Sequence, residues 1–512
     1  MNTDTTRTAS YNLLTEPWIP VTDADYGNTH VGIATALLEA HRLRLGSPGF
    51  DQQVLLRLLL AVLDAAAGPT SEAEWDTAWS APTLPADRIR AYLDRWAPRF
   101  DLFGEQPFGQ CAALTEANRD THLLKPSRWG GHGREFLDHS LLEEPRPFEP
   151  AEAALALLRL QAFHPGGIQG AHPQDPRGKG GRIYGSKPGH ASVVANLVVN
   201  SMGATLKDLL LLNLPPRPRA AGDRPVWERE AAGAAGEARE PQGRLDLWTW
   251  QTRRTRLFVD ESSQVVGLAL HDGDRMADPK ACMHALDPLT ARTTKGSPLP
   301  VTDAASFEVV WSAGLLLDPA GAATATSPVV EHVLLAAERG TLDPGLRLAA
   351  ELLQVQHSNQ HRASIFGIRE VTSSLGTAAS LATVGGRASL AAAARLAHDV
   401  QRALYGAGAD AFRQQIKDIA PRQSASLARL MSNNHAWEDI AREPEPGLDR
   451  WTAALRRALD GVAQEMATTD LMATARFQVE AENILFRYSR RAKKTAAQAA
   501  VRTVVPAARA AA

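Results

Sequence analysis

The chain has 512 residues, a formal net charge of −2, and 44% hydrophobic and 22% charged residues. That length accommodates roughly two to four domains with a sizeable core. The near-neutral balance excludes a protein that is basic all over, so any nucleic-acid contact must come from local patches. Two cysteines, Cys111 and Cys282, exclude a disulfide framework and a four-cysteine zinc site.

The opening Met1-Asn2-Thr3-Asp4 is polar and lacks the apolar core of a signal peptide, and the two cysteines suit a reducing cytoplasm. Residues 11–22 read as a strand, and Pro17 and Pro20 suggest a sheet edge. Residues 51–63 form an apolar helix capped by Asp51, and residues 149–162 form a second, Ala-rich one. Phe100–Gln110 is turn-rich, and Pro126–Pro147 and Pro165–Gly189 are loop-formers. The apolar run Val193–Leu212 is broken by Asn196, Asn200, Lys207 and Asp208, so it predicts a buried helix pair and no membrane span. Residues 214–243, rich in Pro, Ala, Gly and Arg, predict a mobile surface insertion. Alternation in 245–315, as in Arg256-Leu257-Phe258-Val259 and Phe307-Glu308-Val309-Val310-Trp311, predicts strands. Beyond about 372, helices are predicted near 387–405, 409–432, 447–467 and 470–499. The fold class is therefore α+β: a large mixed α/β N-terminal domain, 1–372, then a C-terminal four-helix bundle, 373–512.

No Walker-type phosphate loop and no nucleophile elbow occur. His271-Asp272 and His398-Asp399 match the dipeptide of HD-type metal-dependent phosphohydrolases. That chemistry needs further His and Asp ligands converging on the metals. Chance dipeptides are the better reading, and no metal or cofactor is predicted. Basic patches are better supported. Arg177, Lys179, Arg182 and Lys187 lie in a glycine-rich stretch with no acid. Glycine lets a backbone approach a phosphate closely, and the cations supply counterion release, although a solvated flexible loop reads the same way. Arg487, Arg490, Arg491 and Lys494 share one helical face, which either tracks a DNA backbone or is an ordinary charged terminal helix. Arg253, Arg254 and Arg256 beside Trp248 and Trp250 offer stacking and phosphate contacts, or an exposed strand face.

The stretch Asn12-Leu13-Leu14 followed by Trp18-Ile19-Pro20-Val21 resembles the opening of the CasA family, the large subunit of type I-E CRISPR Cascade complexes. Further islands follow in family order: Phe100–Gln110, Ala151–Ala162 running into His164-Pro165-Gly166-Gly167, Ala277–Arg292 and Asn359–Ile365. The resemblance implies a non-catalytic subunit of a ribonucleoprotein complex in antiviral defense. Its implied partners are crRNA, double-stranded target DNA, the other Cascade subunits and a helicase-nuclease. Reading of the protospacer-adjacent motif (PAM) then maps onto Gly166, Gly167, Gln169 and Gly170, with Lys280 entering the minor groove. A strand-separating wedge maps onto Gln360, His361 and Arg362. Guide-RNA contacts map onto Arg128, Trp129, Arg134 and Phe136. The family's zinc-binding cysteine cluster has no counterpart here beyond Cys282.

Overall fold

The structure is a computed structural model. It describes residues 9–23, 27–46, 49–129, 145–292, 297–298, 327–357, 365–407, 439–440, 443–467, 474–475, 478–479 and 481–494. The chain forms two compact units. One comprises Met1–Asn196, Ala204–Thr290 and Leu353–Ile368; the other comprises Leu197–Gly203, Ala291–Leu352 and Arg369–Ala512.

The first unit begins with a turn, not a strand. The Asn12 carbonyl accepts from Thr15 N and Glu16 N, and Trp18 Nε1 donates to Leu13 O at 2.9 Å. Strand β1 (Ile19–Thr22) then lies between β2 (Asn28–Val31) and β3 (Arg44–Leu45). It is the central strand and not an edge. Pro20 has no N–H to place, and its carbonyl accepts from Gly46 N, so the ladder tolerates it.

Helices α1 (Ile33–Leu38), α2 (Gly49–Ala67), α3 (Glu72–Ser80) and α4 (Ala86–Trp96) follow. α2 is apolar nearly all round and is buried along most of its length, as such a helix must be. Asp51 lies in its first turn and pairs with Arg159 (Nε–Oδ1 2.5 Å) of α5 (Pro150–Phe163). α5 starts with a reciprocal Glu149–Glu152 capping box and Pro150 at its first position.

The run Val193–Leu212 is buried but is not a helix pair. Its Leu-Val-Val segment forms strand β6 (Asn196–Ser201), where β-branched side chains pack well. Gly203, at φ +76°, turns the chain into α6 (Leu206–Leu212), capped by Thr205 and Asp208.

Residues 214–243 are not a loose insertion. Asp223 and Trp227 are buried, and Arg217 and Arg244 converge on Asp64 of α2. Arg239 bridges Asp246 and Asp274. Composition suggested disorder; charge pairing supplies the order. Helix α7 (Arg244–Trp248) leads to an antiparallel ribbon of β7 (Arg253–Val259) and β8 (Val265–Asp272), then to α8 (Pro279–Leu286).

Strands β9 (Arg347–His357) and β10 (Ile365–Thr377) join β6 in the order β10-β9-β6. The second unit also contains helices Pro328–Glu338, Val384–Ala407 and Pro444–Ala467, and helical residues 481–494. Trp451 is buried there and donates to Ala393 O at 2.9 Å. The expected strand 307–311 and helix 409–432 lie outside the described residues.

Candidate nucleic-acid interface

The glycine-rich stretch expected to be a loop folds into a hairpin of β4 (Gly167–Gly170) and β5 (Arg182–Ser186). Gln169 pairs with Ile183 and Gly170 with Arg182. Between Gly167 and Gln169 the register shifts by one residue, so Ile168 faces two residues, Tyr184 and Gly185. Gly185 takes φ +66°, the left-handed conformation of a glycine bulge. Ile183 and Ser186 consequently point inward, and Arg182 and Tyr184 point outward.

The tip is a tight turn, Lys179-Gly180-Gly181-Arg182, with Arg182 N bonded to Lys179 O and Lys179 N to Arg182 O. Both glycines have positive φ, as a type I′ turn demands, so the sequence specifies this reversal. Lys179 and Arg182 are exposed on either side of it. Arg177 is not available in the same way. It binds Asp175 in bidentate fashion (2.9 and 2.6 Å), reaches Gly273 O, and lies 3.4 Å from Asp272. Its hydrogen bond to Asp175 holds the guanidinium above its usual range.

The hairpin is anchored at its feet by buried charge. Arg253 donates to Pro165 O (2.7 Å) before β4 and to Lys187 O (3.2 Å) after β5. Burial pushes this guanidinium down to about 10, although nearby Asp272 opposes the shift. Asp272 accepts from Ser186 Oγ of β5 and lies within ion-pair distance of Arg253 and Arg275. Arg254 pairs with Asp274 at 2.5 Å, and Arg256 donates to Ala112 O and Leu114 O. The arginines read as phosphate ligands or a solvent face are therefore internal fasteners, buried except for the less deeply placed Arg256.

Gly166 and Gly170 differ in what the fold asks of them. A Cβ on Gly166 would lie 2.5 Å from Ser186 O and 2.9 Å from Pro188 N, so the hairpin closes only over glycine. A Cβ on Gly170 would meet nothing nearer than Arg119 Nη2, at 3.6 Å. Gly167 is exposed, at φ +106°. Gln169 Nε2 turns back to Pro165 O at 3.2 Å.

Lys280 is exposed in the first turn of α8, which Asp278 caps and Pro279 starts. Met283 of that helix packs in one cluster with Val194, Leu247 and Trp250. Val194 lies shortly after the hairpin's trailing foot, so helix and hairpin share a scaffold within the first unit. Cys282 Sγ donates to Glu240 Oε2, and burial together with that carboxylate pushes the thiol up to about 12.

The remaining candidates are placed less directly. Arg128 and Trp129 are buried; the indole packs at a tilt against His164 and Phe50 and donates to Leu123 O. Arg134 and Phe136 lie outside the described residues, as do Gln360, His361 and Arg362 between β9 and β10. Arg487, Arg490, Arg491 and Lys494 are exposed on one helical segment, where Arg490 lies 5.7 Å from the Phe486 ring. The HD reading gains no support. Asp272 is committed to Ser186 and to arginines, and Asn118 Nδ2 lies 3.0 Å from His271 Nε2. Among the described residues, no group of three His, Cys, Asp or Glu side chains is placed to hold a metal.

The family model for CRISPR-associated protein Cse1 matches residues 12–484. The chain belongs to the Cse1 family. A CasA/Cse1 protein of Thermus thermophilus is 35% identical over 294 residues, which are 55% of this chain and 55% of that one. The alignment thus spans about half the length of that relative. The structure of Cse1 from Thermobifida fusca superposes with a TM-score of 0.73 at 23% identity, covering 95% of this chain and 98% of the other. A chain described as part of a CRISPR RNA-guided surveillance complex gives 0.71 at 18% identity over 93% and 99%. This Cse1-family fold therefore carries an anchored basic hairpin. Its glycines and cations are legible in the sequence, whereas exposed Ile168 and Tyr184 and the Arg253 clamp are not. The period-two spacing of Arg182 and Tyr184 was the available signal.

Proposed function

We propose that the chain is the large subunit of a crRNA-guided type I-E Cascade and has no catalytic site of its own. It reads the PAM of double-stranded target DNA from the minor groove, promotes strand separation and R-loop formation, and recruits the helicase-nuclease. The observation that carries this reading is the β4–β5 hairpin: an exposed Gly167, basic residues at the tip, and feet clamped by buried Arg253. Family membership supports the reading, as does the likeness to a chain of an RNA-guided surveillance complex.

The minor groove presents a degenerate pattern, so a small backbone element and one long cation give tolerant recognition. Gly166 to Gly170 provide the backbone element and Lys280 the cation. Gln360, His361 and Arg362 separate the strands, an insertion that costs a few kcal/mol of unstacking, roughly, and must be offset by backbone contacts. Lys179 and Arg182 meet phosphates. Of the four residues mapped to the guide RNA, Arg134 and Phe136 make the contacts, since Arg128 and Trp129 are buried. The face of Arg487, Arg490, Arg491 and Lys494 guides displaced DNA.

The test is binding of crRNA-loaded complex to duplexes with and without the PAM, for wild type and Lys280→Ala. Wild type is expected to discriminate and the variant to lose mainly the PAM-dependent part. Equal binding to both duplexes by both proteins would refute the assignment.

A further inference from the structure

Two large apolar side chains on the hairpin are left largely uncovered by the fold. Ile168 is 58% exposed and Tyr184 is 56% exposed. Single exposed hydrophobic residues are ordinary. These two face each other across the bulge, on strands fixed by inward Ile183 and Ser186 and by the Arg253 clamp. Arg275 Nη2 further holds the Tyr184 carbonyl at 3.5 Å. Arg182 continues the same outward row, and Lys179 lies across the turn. Residues 176–190 contain no acid. An apolar pair framed by cations on a rigid two-stranded ribbon is complementary to a polyanion with an apolar interior. The minor groove is such a surface, and apolar side chains wedge into it in many DNA-bending proteins.

We infer that Ile168 and Tyr184 form an apolar ridge that rests on the sugar and base edges of the target duplex, while Lys179 and Arg182 meet the flanking phosphates. This rests on the PAM-reading assignment and adds its non-ionic part. The two kinds of contact are separable. Phosphate contacts release counterions and steepen the salt dependence of binding, whereas an apolar ridge does not.

The experiment uses the crRNA-loaded complex and a PAM-containing duplex, titrated at several salt concentrations. The double variant Ile168→Ala/Tyr184→Ala is expected to bind about tenfold more weakly or worse, the scale of losing an aromatic contact to nucleic acid. Its slope of log affinity against log salt stays that of wild type. Arg182→Ala reduces that slope by about 1. Tyr184→Phe retains wild-type affinity, because the ring and not the hydroxyl makes the contact. Both side chains are exposed, so the variants melt with wild type.

Wild-type affinity in the double variant, with Lys280→Ala still losing PAM-dependent binding, overturns the ridge and leaves the PAM assignment standing. Failure of the double variant to enter the complex also overturns it, by making the pair a contact to another subunit. If neither variant alters binding, the PAM assignment fails and the ridge falls with it.

Discussion

Arg253 Nη2 donates to Pro165 O at 2.7 Å, and the same guanidinium reaches Lys187 O at 3.2 Å, so one buried side chain closes the base of the exposed hairpin. A polar group this deeply placed is stable only while its partners are present. Arg253→Met keeps the side chain's length and removes every donor. It strips both carbonyls of a partner and takes one cation from Asp272, which retains Arg177 and Arg275. Asp272 is left compensated and Pro165 O keeps Gln169 Nε2, so the expected loss is that of buried carbonyls short of a donor, about 1 to 3 kcal/mol of unfolding free energy. Urea denaturation checks the magnitude. Hydrogen exchange checks the location, since amide protection should fall first in β4 and β5. A variant that retains hairpin protection would refute the clamp.

Gly166 and Gly170, both in or beside β4, provide an internal contrast. Gly166→Ala drives a Cβ against the Ser186 carbonyl and should cost about 1 to 3 kcal/mol, the usual range for overpacking. Gly170→Ala has room and should change stability by no more than about 0.5 kcal/mol, as at sites without a special constraint. Thermal melting of both proteins decides the matter. The PAM assignment adds that Gly170→Ala, although stable, weakens binding to PAM-bearing duplex.

The parts legible in the sequence were those governed by local rules. The apolar run that becomes α2 and the Ala-rich run that becomes α5 depend on near neighbours. The Gly180-Gly181 turn was equally local, but it was read only as loop. What escaped were features decided by partners far along the chain. Arg253 and Arg254 resemble a solvent-facing strand until the register of β8 sets Asp272 opposite Arg253 and the chain just beyond it brings Asp274 to Arg254. Residues 214–243 have a disordered composition, yet Asp64, far upstream, binds Arg217 within them and Arg244 just after them. Pro20 suggested an edge because the sequence alone does not show that β3 is only two residues long. In each case a long-range electrostatic or pairing term outweighed a local propensity.

The ordering of 214–243 by charge gives a prediction of its own. Asp64 accepts both nitrogens of Arg244 at 2.8 Å and lies 3.3 Å from Arg217. Burial pushes its carboxyl up, but Arg244 and Arg217 outweigh that and hold it below the usual carboxylate range. In wild type, the arginines of this segment should resist trypsin in native buffer. Asp64→Ala leaves Arg244 buried and unpaired, a loss of about 3 to 5 kcal/mol. The variant should be cleaved within 214–243 at protease levels that leave wild type intact. Rapid cleavage of wild type there would show the segment to be loose after all.

His190 gives the chain a pH dependence whose sign follows from burial. The ring is buried directly after the hairpin, and neither ring nitrogen has a hydrogen-bond partner. Burial and the Arg57 charge push it down to about 3, although Asp287 pulls the other way. The unfolded chain therefore takes up a proton below about pH 6.5 that the folded chain refuses, which favours unfolding as the solution is acidified. Each pH unit in that range costs at most about 1.4 kcal/mol from this residue. His271, also lowered by burial, adds to the same trend, whereas the stability held by the lowered Asp64 is lost only as pH falls below the ordinary carboxylate range. Melting temperatures between about pH 6.5 and 4.5 thus isolate the histidines from that carboxylate. His190→Leu, which has no proton to refuse, should flatten this part of the curve. If the variant loses stability on acidification as steeply as wild type, the buried ring is not what the acid attacks.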